Sequence, residues 1–176
     1  MKKLALIIFY IVFFFAALLF FTPKENLYYF AEEQLKPLNV VVASEEVIDH
    51  GFSLEIAHAA IYVQKIKSAD ISSLKMLLLG VYNRVDLNNI VLDKTFEQFF
   101  PVEVASLSIT QNIVSPTEVS VEMQGDFGEA TGDIHLVDRN GTVILTPSKL
   151  MLSRYRNTLR QLKKIDEGKY RYEFNF

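Results

Sequence analysis

The chain contains no cysteine, an absence that excludes disulfide frameworks, thiolate metal sites and cysteine nucleophiles together. Glycine and proline are scarce, 7 and 5 of 176 residues, which excludes collagen-like and low-complexity chains. Half of the positions are hydrophobic and 22% are charged, so the chain is not of the disordered class. Its length suits one domain with a sizeable core and is short for a multi-domain enzyme. An excess of charge is missing too: the net charge of −3 gives no overall pull toward nucleic acid. There is no Gly-x-Ser-x-Gly, phosphate loop or dinucleotide fingerprint. His50, His58 and His135 have no partner at metal spacing. An enzymatic role, a metal and a cofactor are therefore not expected.

The first feature present is a run of Leu, Ile, Phe, Val and Ala over residues 4–21, interrupted only by Tyr10 and preceded by Lys2 and Lys3. At ~1.5 Å per residue it spans roughly 27 Å, against ~30 Å for the hydrocarbon core of a bilayer. A cleaved signal would need small residues at its end. Here Ala16 and Ala17 lie too early and Leu18, Leu19, Phe20 and Phe21 follow, so residues 1–22 read as a retained transmembrane signal anchor. The lysines before the run keep the N-terminus cytoplasmic, which places the rest of the chain outside the cytoplasm. Residues 23–38 read as an amphipathic connecting helix, with Pro23 in its first turn, Leu27, Ala31, Leu35 and Leu38 on one side, and Pro37 ending it.

From residue 39 the pattern changes to short Val-, Ile- and Leu-rich runs of period two, the signal for strands. Candidates are 39–48, 52–64, 66–82, 84–92, 102–114, 117–126, 129–138 and 141–146. The cleanest alternation sets Val119, Val121 and Met123 against Glu118, Ser120, Glu122 and Gln124, which predicts one dry face and one wet face. The phase slips after Ile56, after Leu87 and after Val104, predicting bulges and a curved sheet. Asn140 and Gly141 are the strongest two-residue hairpin signal in the chain. Residues 93–100 look like a single helical turn capping the sheet. The fold class expected is mainly β: an N-terminal transmembrane helix, then a curved antiparallel sheet, groove-like or an open half-barrel, with short flanking helices. The exported β-rich domain is expected to cover 39–176.

Near the end, Thr146 and Pro147 suit an N-cap and first turn, opening a helix over 147–165 with the apolar stripe Leu152, Tyr155, Leu159 and Leu162. Gly168 stops it and a final strand covers 169–176. Charge is distributed unevenly. Residues 1–146 carry 10 basic and 18 acidic side chains, and residues 147–176 carry 8 and 3. Arg156, Arg160, Lys163 and Lys164 fall on one helical face and are the candidate membrane or partner contact, a solvated face being the plainer account. Two acidic groups read as solvated hairpin residues and an exposed strand end: Asp126, Glu129 and Asp133 among Gly125, Gly128 and Gly132, and Glu45, Glu46 and Asp49 with His50.

The anchor, the short connecting helix and the curved strands ending in the glycine-punctuated stretch 125–145 resemble the type II secretion system protein N and AsmA-like group. That resemblance implies a bacterial inner-membrane, single-pass protein with a periplasmic, groove-like β domain connected with envelope assembly or lipid transfer. It carries over no functional residue. A lipopolysaccharide-export inner-membrane subunit is similar in plan. Two functions are expected: an assembly or secretion-system scaffold that binds another envelope protein through a sheet edge, or a lipid-binding module carrying acyl chains in an apolar groove. The partners implied are the inner membrane, an envelope protein and lipid, not nucleic acid.

Overall fold

The computed structural model describes residues 2–43, 46–165 and 168–176. Of the features expected from sequence, Glu45 and the stretch 44–45 inside the first strand candidate lie outside the described residues, as do the side chains of Leu27, Ala31 and Leu38. The protein is mainly β, with an N-terminal apolar helix, one open antiparallel sheet and short helices. Helix α1 (Lys2–Phe21) is long and apolar enough to cross a membrane, and none of its residues is buried against the rest of the chain. Helix α2 (Lys24–Leu35) follows, then a 3-10 turn over Lys36–Leu38.

The joint between α1 and the sheet is built from polar as well as aromatic contacts. Lys24 is almost fully buried. Its Nζ donates to the carbonyl oxygens of Leu19 and, at 2.6 Å, Thr22, placing a cation on the carbonyl end of α1, where the helix dipole favours it. Its backbone N–H donates to Asp49 Oδ2 at 2.9 Å, while Gly51 N–H donates to Asp49 Oδ1 at 2.7 Å. The Lys24 N–H, foremost, holds the Asp49 carboxyl below its usual range. The Phe20 ring lies over Gly51 and meets Phe52 edge-on at 5.2 Å. The last turn of the apolar helix is thereby fastened to one end of the sheet.

The strands are β1 (Val40–Ala43), β2 (Glu46–Asp49), β3 (Ser53–Val63), β4 (Ile66–Leu78), β5 (Tyr82–Leu92), β6 (Glu103–Asn112), β7 (Glu118–Gly125), β8 (Gly128–His135), β9 (Asn140–Pro147), β10 (Lys163–Lys164) and β11 (Tyr170–Asn175). Among the described residues they form one sheet in the order β1-β3-β4-β5-β6-β7-β8-β9-β11-β10, with β2 also on β3. The first strand candidate, 39–48, is thus two strands: β1 pairs with the end of β3 and β2 with its start. The candidate 66–82 stops at Leu78, because residues 79–81 turn and Tyr82 already pairs with Asn112 on β6. Between β5 and β6 the expected helical turn is a 3-10 helix, Lys94–Gln98, started by Asp93, whose Oδ1 accepts from Thr95 N–H at 2.9 Å.

Register converts the period-two pattern into two chemically distinct faces. On one face Ile56, Leu74, Leu87, Leu107, Met123, Ala130, Leu145 and Tyr170 stand side by side across eight strands. On the other, Lys75, Asp86, Ser108, Glu122 and Thr131 form a polar row. The three expected phase slips are present and lie on one line. His58 (φ 56°) falls opposite Ser72, Ser72 opposite Asn89 (φ 51°), and Asn89 opposite Ala105, which the pairing of β6 with β7 skips. The positive-φ residues His58 and Asn89 and the β6–β7 bulge at Ala105 crease the sheet and return the apolar residues Ala59, Ile71, Ile90 and Val104 to the same face.

Two sequence expectations are corrected by non-local contacts. Asn140 and Gly141 are not a turn: they pair with His135 and Ile134 inside the β8–β9 ladder, and the chain turns over residues 136–139. Gly141 is needed because the Phe174 ring of β11 lies on it, and a Cβ there would come within 2.5 Å of that ring. Nor is there a helix over 147–165. Pro147 closes β9, Ser148 is the N-cap (Oγ accepting from Met151 N–H at 3.1 Å), and the helix breaks into α3 (Lys149–Arg154) and α4 (Arg156–Leu159). The break sits at Tyr155 (ψ 36°), where Arg156 Nε donates to the Leu152 carbonyl at 3.0 Å. The buried stripe is Met151, Tyr155 and Leu159, Leu152 being exposed. The final strand is 170–175 rather than 169–176.

The two-residue turn of the β3–β4 hairpin is made by Gln64 and Lys65, both at positive φ (52° and 68°), between the paired residues Val63 and Ile66. Side chains with a Cβ are strained in that conformation, which favours Asn-Gly. Gln64→Asn combined with Lys65→Gly should raise stability by about 1 kcal/mol in urea unfolding. A lower urea midpoint would show that the long side chains contribute contacts outweighing their backbone strain.

Candidate apolar groove

The apolar face is closed in one half and open in the other. Under α2, Tyr28 packs with Leu54, Ile56, Ala59, Ala69, Ile71 and Ile90 into a buried cluster. Toward β9 a second cluster forms where Met151, Tyr155 and Leu159 of α3 and α4 cover Ala130 and Leu145. Between this cover and the sheet lies an open groove of about 470 Å³, lined by Leu92, Val104, Met123, Val143, Phe100, Phe127, Leu162, Tyr170 and Tyr172, with Thr158 the one aliphatic hydroxyl. Thr158 Oγ1 donates to the Phe99 carbonyl, and Arg154 pairs with Glu97 at 3.7 Å. These two contacts tie α3 and α4 to the 3-10 turn and make a strap across the groove.

Next to it, sharing Leu162 and Tyr170, is a second hollow of about 470 Å³ whose polar lining is Arg156, Arg160 and Lys164. The four candidate contact residues are all exposed, and among the described residues none is in an ion pair. They do not share a helical face. Arg156 belongs to α4 and Arg160 caps it, whereas Lys163 and Lys164 form β10, in which neighbours point to opposite sides. Three of the four line the hollow and Lys163 does not. All four sit where β9 ends and β11 begins, the opposite end of the strands from the Phe20–Phe52 contact.

The other candidates are not brought together. His50 lies 3.5 Å from Glu55 and His135 3.7 Å from Glu118, both exposed, and His58 is a crease residue. Asp126 is in the β7–β8 turn, while Glu129 and Asp133 stand four residues apart on the polar face of β8, roughly 13 Å at ~3.3 Å per residue. Among the described residues no group of three His, Asp or Glu side chains could hold a metal ion.

No family model, curated protein or solved structure matches this chain. The functional argument therefore stands on the geometry. A groove was expected from sequence, but its lining was not, because the walls come from six strands, two helices and the loops between them; the available signal was the period-two apolar pattern of the strands.

Proposed function

We propose that this protein is a membrane-anchored lipid-binding or lipid-transfer module that holds acyl chains against the open half of its apolar face. The observation that carries this reading is the groove: a nearly wholly apolar trough beside the exposed cations Arg156, Arg160 and Lys164. An acyl chain removes apolar lining from water at roughly 25 cal/mol per Å². Arg156, Arg160 and Lys164 would then receive an anionic headgroup, guanidinium to phosphate being a strong charge-assisted pairing. The resemblance to the type II secretion protein N and AsmA-like group supports the same reading, as does α1, which would keep the domain beside its lipid source on the periplasmic side of a bacterial inner membrane. The scaffold reading, in which a partner strand extends the sheet, has weaker support. One edge of the sheet is the four-residue β1 and the other begins with the two-residue, all-lysine β10, and short, lysine-bearing edges discourage strand addition.

Residues 22–176, purified without the anchor and extracted for mass spectrometry, should carry lipid. Met123→Asp, which places a carboxylate in the groove, should remove it while leaving the far-ultraviolet circular dichroism unchanged. A folded parent free of lipid would refute the proposal.

A further inference from the structure

The end of the sheet to which α1 is fastened differs from the rest of the surface. Because the strands alternate in direction, the segments that turn at this end are 50–52, 79–81, 113–117 and 136–139, together with Phe176 after β11. Alongside Gly51, Gly80, Ser115, Pro116, Thr117, Asp138 and Arg139, these segments carry large apolar residues that face solvent: Val81 is 55% exposed, Ile113 63%, Val114 88%, Leu136 48% and Val137 74%. Soluble hairpin tips are ordinarily Gly, Asn, Asp, Ser and Pro, each of which stabilises a turn. Here Gly51 and Gly80, both at positive φ, Ser115, Pro116 and Asp138 take those places, and the aliphatic residues beside them are left outward. Asn112 Oδ1 accepts from the N–H groups of Val114 (2.9 Å) and Ser115 (3.1 Å).

The tips are also joined to one another. Leu78 N–H donates to Phe52 O, Ile113 N–H to Val81 O at 2.9 Å, Leu136 N–H to Thr117 O at 2.9 Å, and Phe176 N–H to Arg139 O at 3.0 Å. A continuous backbone-linked rim thus runs from Phe52, which touches Phe20 at the end of α1, across to β11. At the other end of the strands the tight turns are Gln64 with Lys65 and Asp126 with Phe127, the last folded into the groove; Val63 and Ile66, paired beside the first turn, and Val91 and Phe99 are the exposed apolar residues nearest these turns.

We infer that this rim is a membrane-contact surface: its aliphatic tips rest in the interfacial layer of the bilayer that α1 spans, so that the sheet stands on the membrane on its strand ends. The inference rests on reading α1 as a membrane span, and it holds whether or not the groove takes lipid. Two observations commit it to the bilayer: the rim is continuous with the last turn of the apolar helix, and isolated aliphatic tips in a row suit a fluid apolar layer, into which interfacial segments sink by about 5–10 Å. The arrangement turns the four-cation cluster of α4 and β10 away from that bilayer. Adjacent strands rotate by about 20–25°, so immersion should decline along the rim, from Val81 to Val114 to Val137.

The chain has no tryptophan, so single reporters can be placed without background. The full chain is reconstituted in bilayer nanodiscs whose lipids are brominated on the upper acyl carbons, with Phe13→Trp, Val81→Trp, Val114→Trp, Val137→Trp or Gln64→Trp. Val81→Trp and Val114→Trp should emit at shorter wavelength and lose most of their emission to bromine, Val137→Trp should lose less, and Gln64→Trp should behave as in water. If Phe13→Trp is quenched while the tip reporters match Gln64→Trp, the rim does not touch the bilayer and the inference fails with the anchor intact. Tip reporters that shift to shorter wavelength without quenching would mean a protein covers the rim, which also overturns it. An unquenched Phe13→Trp would overturn the anchor reading and this inference together.

Discussion

Gly128→Val should be the most damaging single substitution in the sheet, costing about 3 kcal/mol or more, since the backbone conformation alone contributes roughly 1–3 kcal/mol of strain. Gly128 has φ 115°, a region that residues with a Cβ rarely adopt, and a Cβ there would collide with the Thr146 carbonyl oxygen and come within 2.7 Å of the Ser148 nitrogen. Those are backbone atoms of the β9 terminus and of the N-cap of α3, so a shift large enough to admit the side chain would break the Gly128–Pro147 pairing and tilt the strap over the groove. Gly132, on the same strand, is the control. It has no positive φ, and its nearest obstacle is a Val143 methyl at 3.3 Å. Gly132→Ala should stay within about 1 kcal/mol of the parent. Urea unfolding of the full chain in detergent, followed by circular dichroism, distinguishes the two; equal losses would mean that the backbone contacts at Gly128 do not set the cost.

Ile56→Ala should cost about 3 kcal/mol, within the range for deleting a buried Ile from a packed core. Ile56 is completely buried, paired to Leu74, and packed in the cluster that Tyr28 closes. Ile109→Ala removes the same atoms from the same face of the sheet two strands beyond β4, where Ile109 pairs with Val85 and Val121 and is only partly buried. Its cost should be about 1 kcal/mol, because part of the side chain is already in contact with solvent and no closed cavity is left. The contrast tests whether the apolar face is a core throughout or, as the groove requires, a core at one end and an open surface further along. Equal costs would show that the apolar face is a closed core at Ile109 as well.

Local pattern made much of this readable. A run as long and apolar as 4–21 reads directly as a helix able to cross a membrane, and the 3-10 turn after Asp93 follows from a side chain that can accept its own turn's N–H groups. The slips after Ile56, Leu87 and Val104 were visible because one extra residue moves every following side chain to the other face, and each strand must restore its apolar residues to the core side. That the three slips line up into one crease was not visible, since alignment depends on register between strands.

The misreadings share one cause. Asn140 and Gly141 have the chemistry of a turn, but a glycine serves equally beneath an aromatic ring, and Phe174, brought alongside by β11, decides between the two. Residues 147–165 have a helical period, yet Lys163 and Lys164 gain strand pairing with Arg171 and Tyr170 and leave the helix. The basic quartet is split for the same reason, and the groove and the rim exist only once distant strands stand side by side. The sequence by itself determined the apolar helix, the strand-rich body, the wet and dry faces and the places where the strands bulge, because these follow from periodicity within a few residues. Only the tertiary structure decided where the chain turns, which cations stand together, which half of the apolar face is left open and which loop tips meet at the end that holds α1, because those outcomes are set by contacts between residues far apart in the chain.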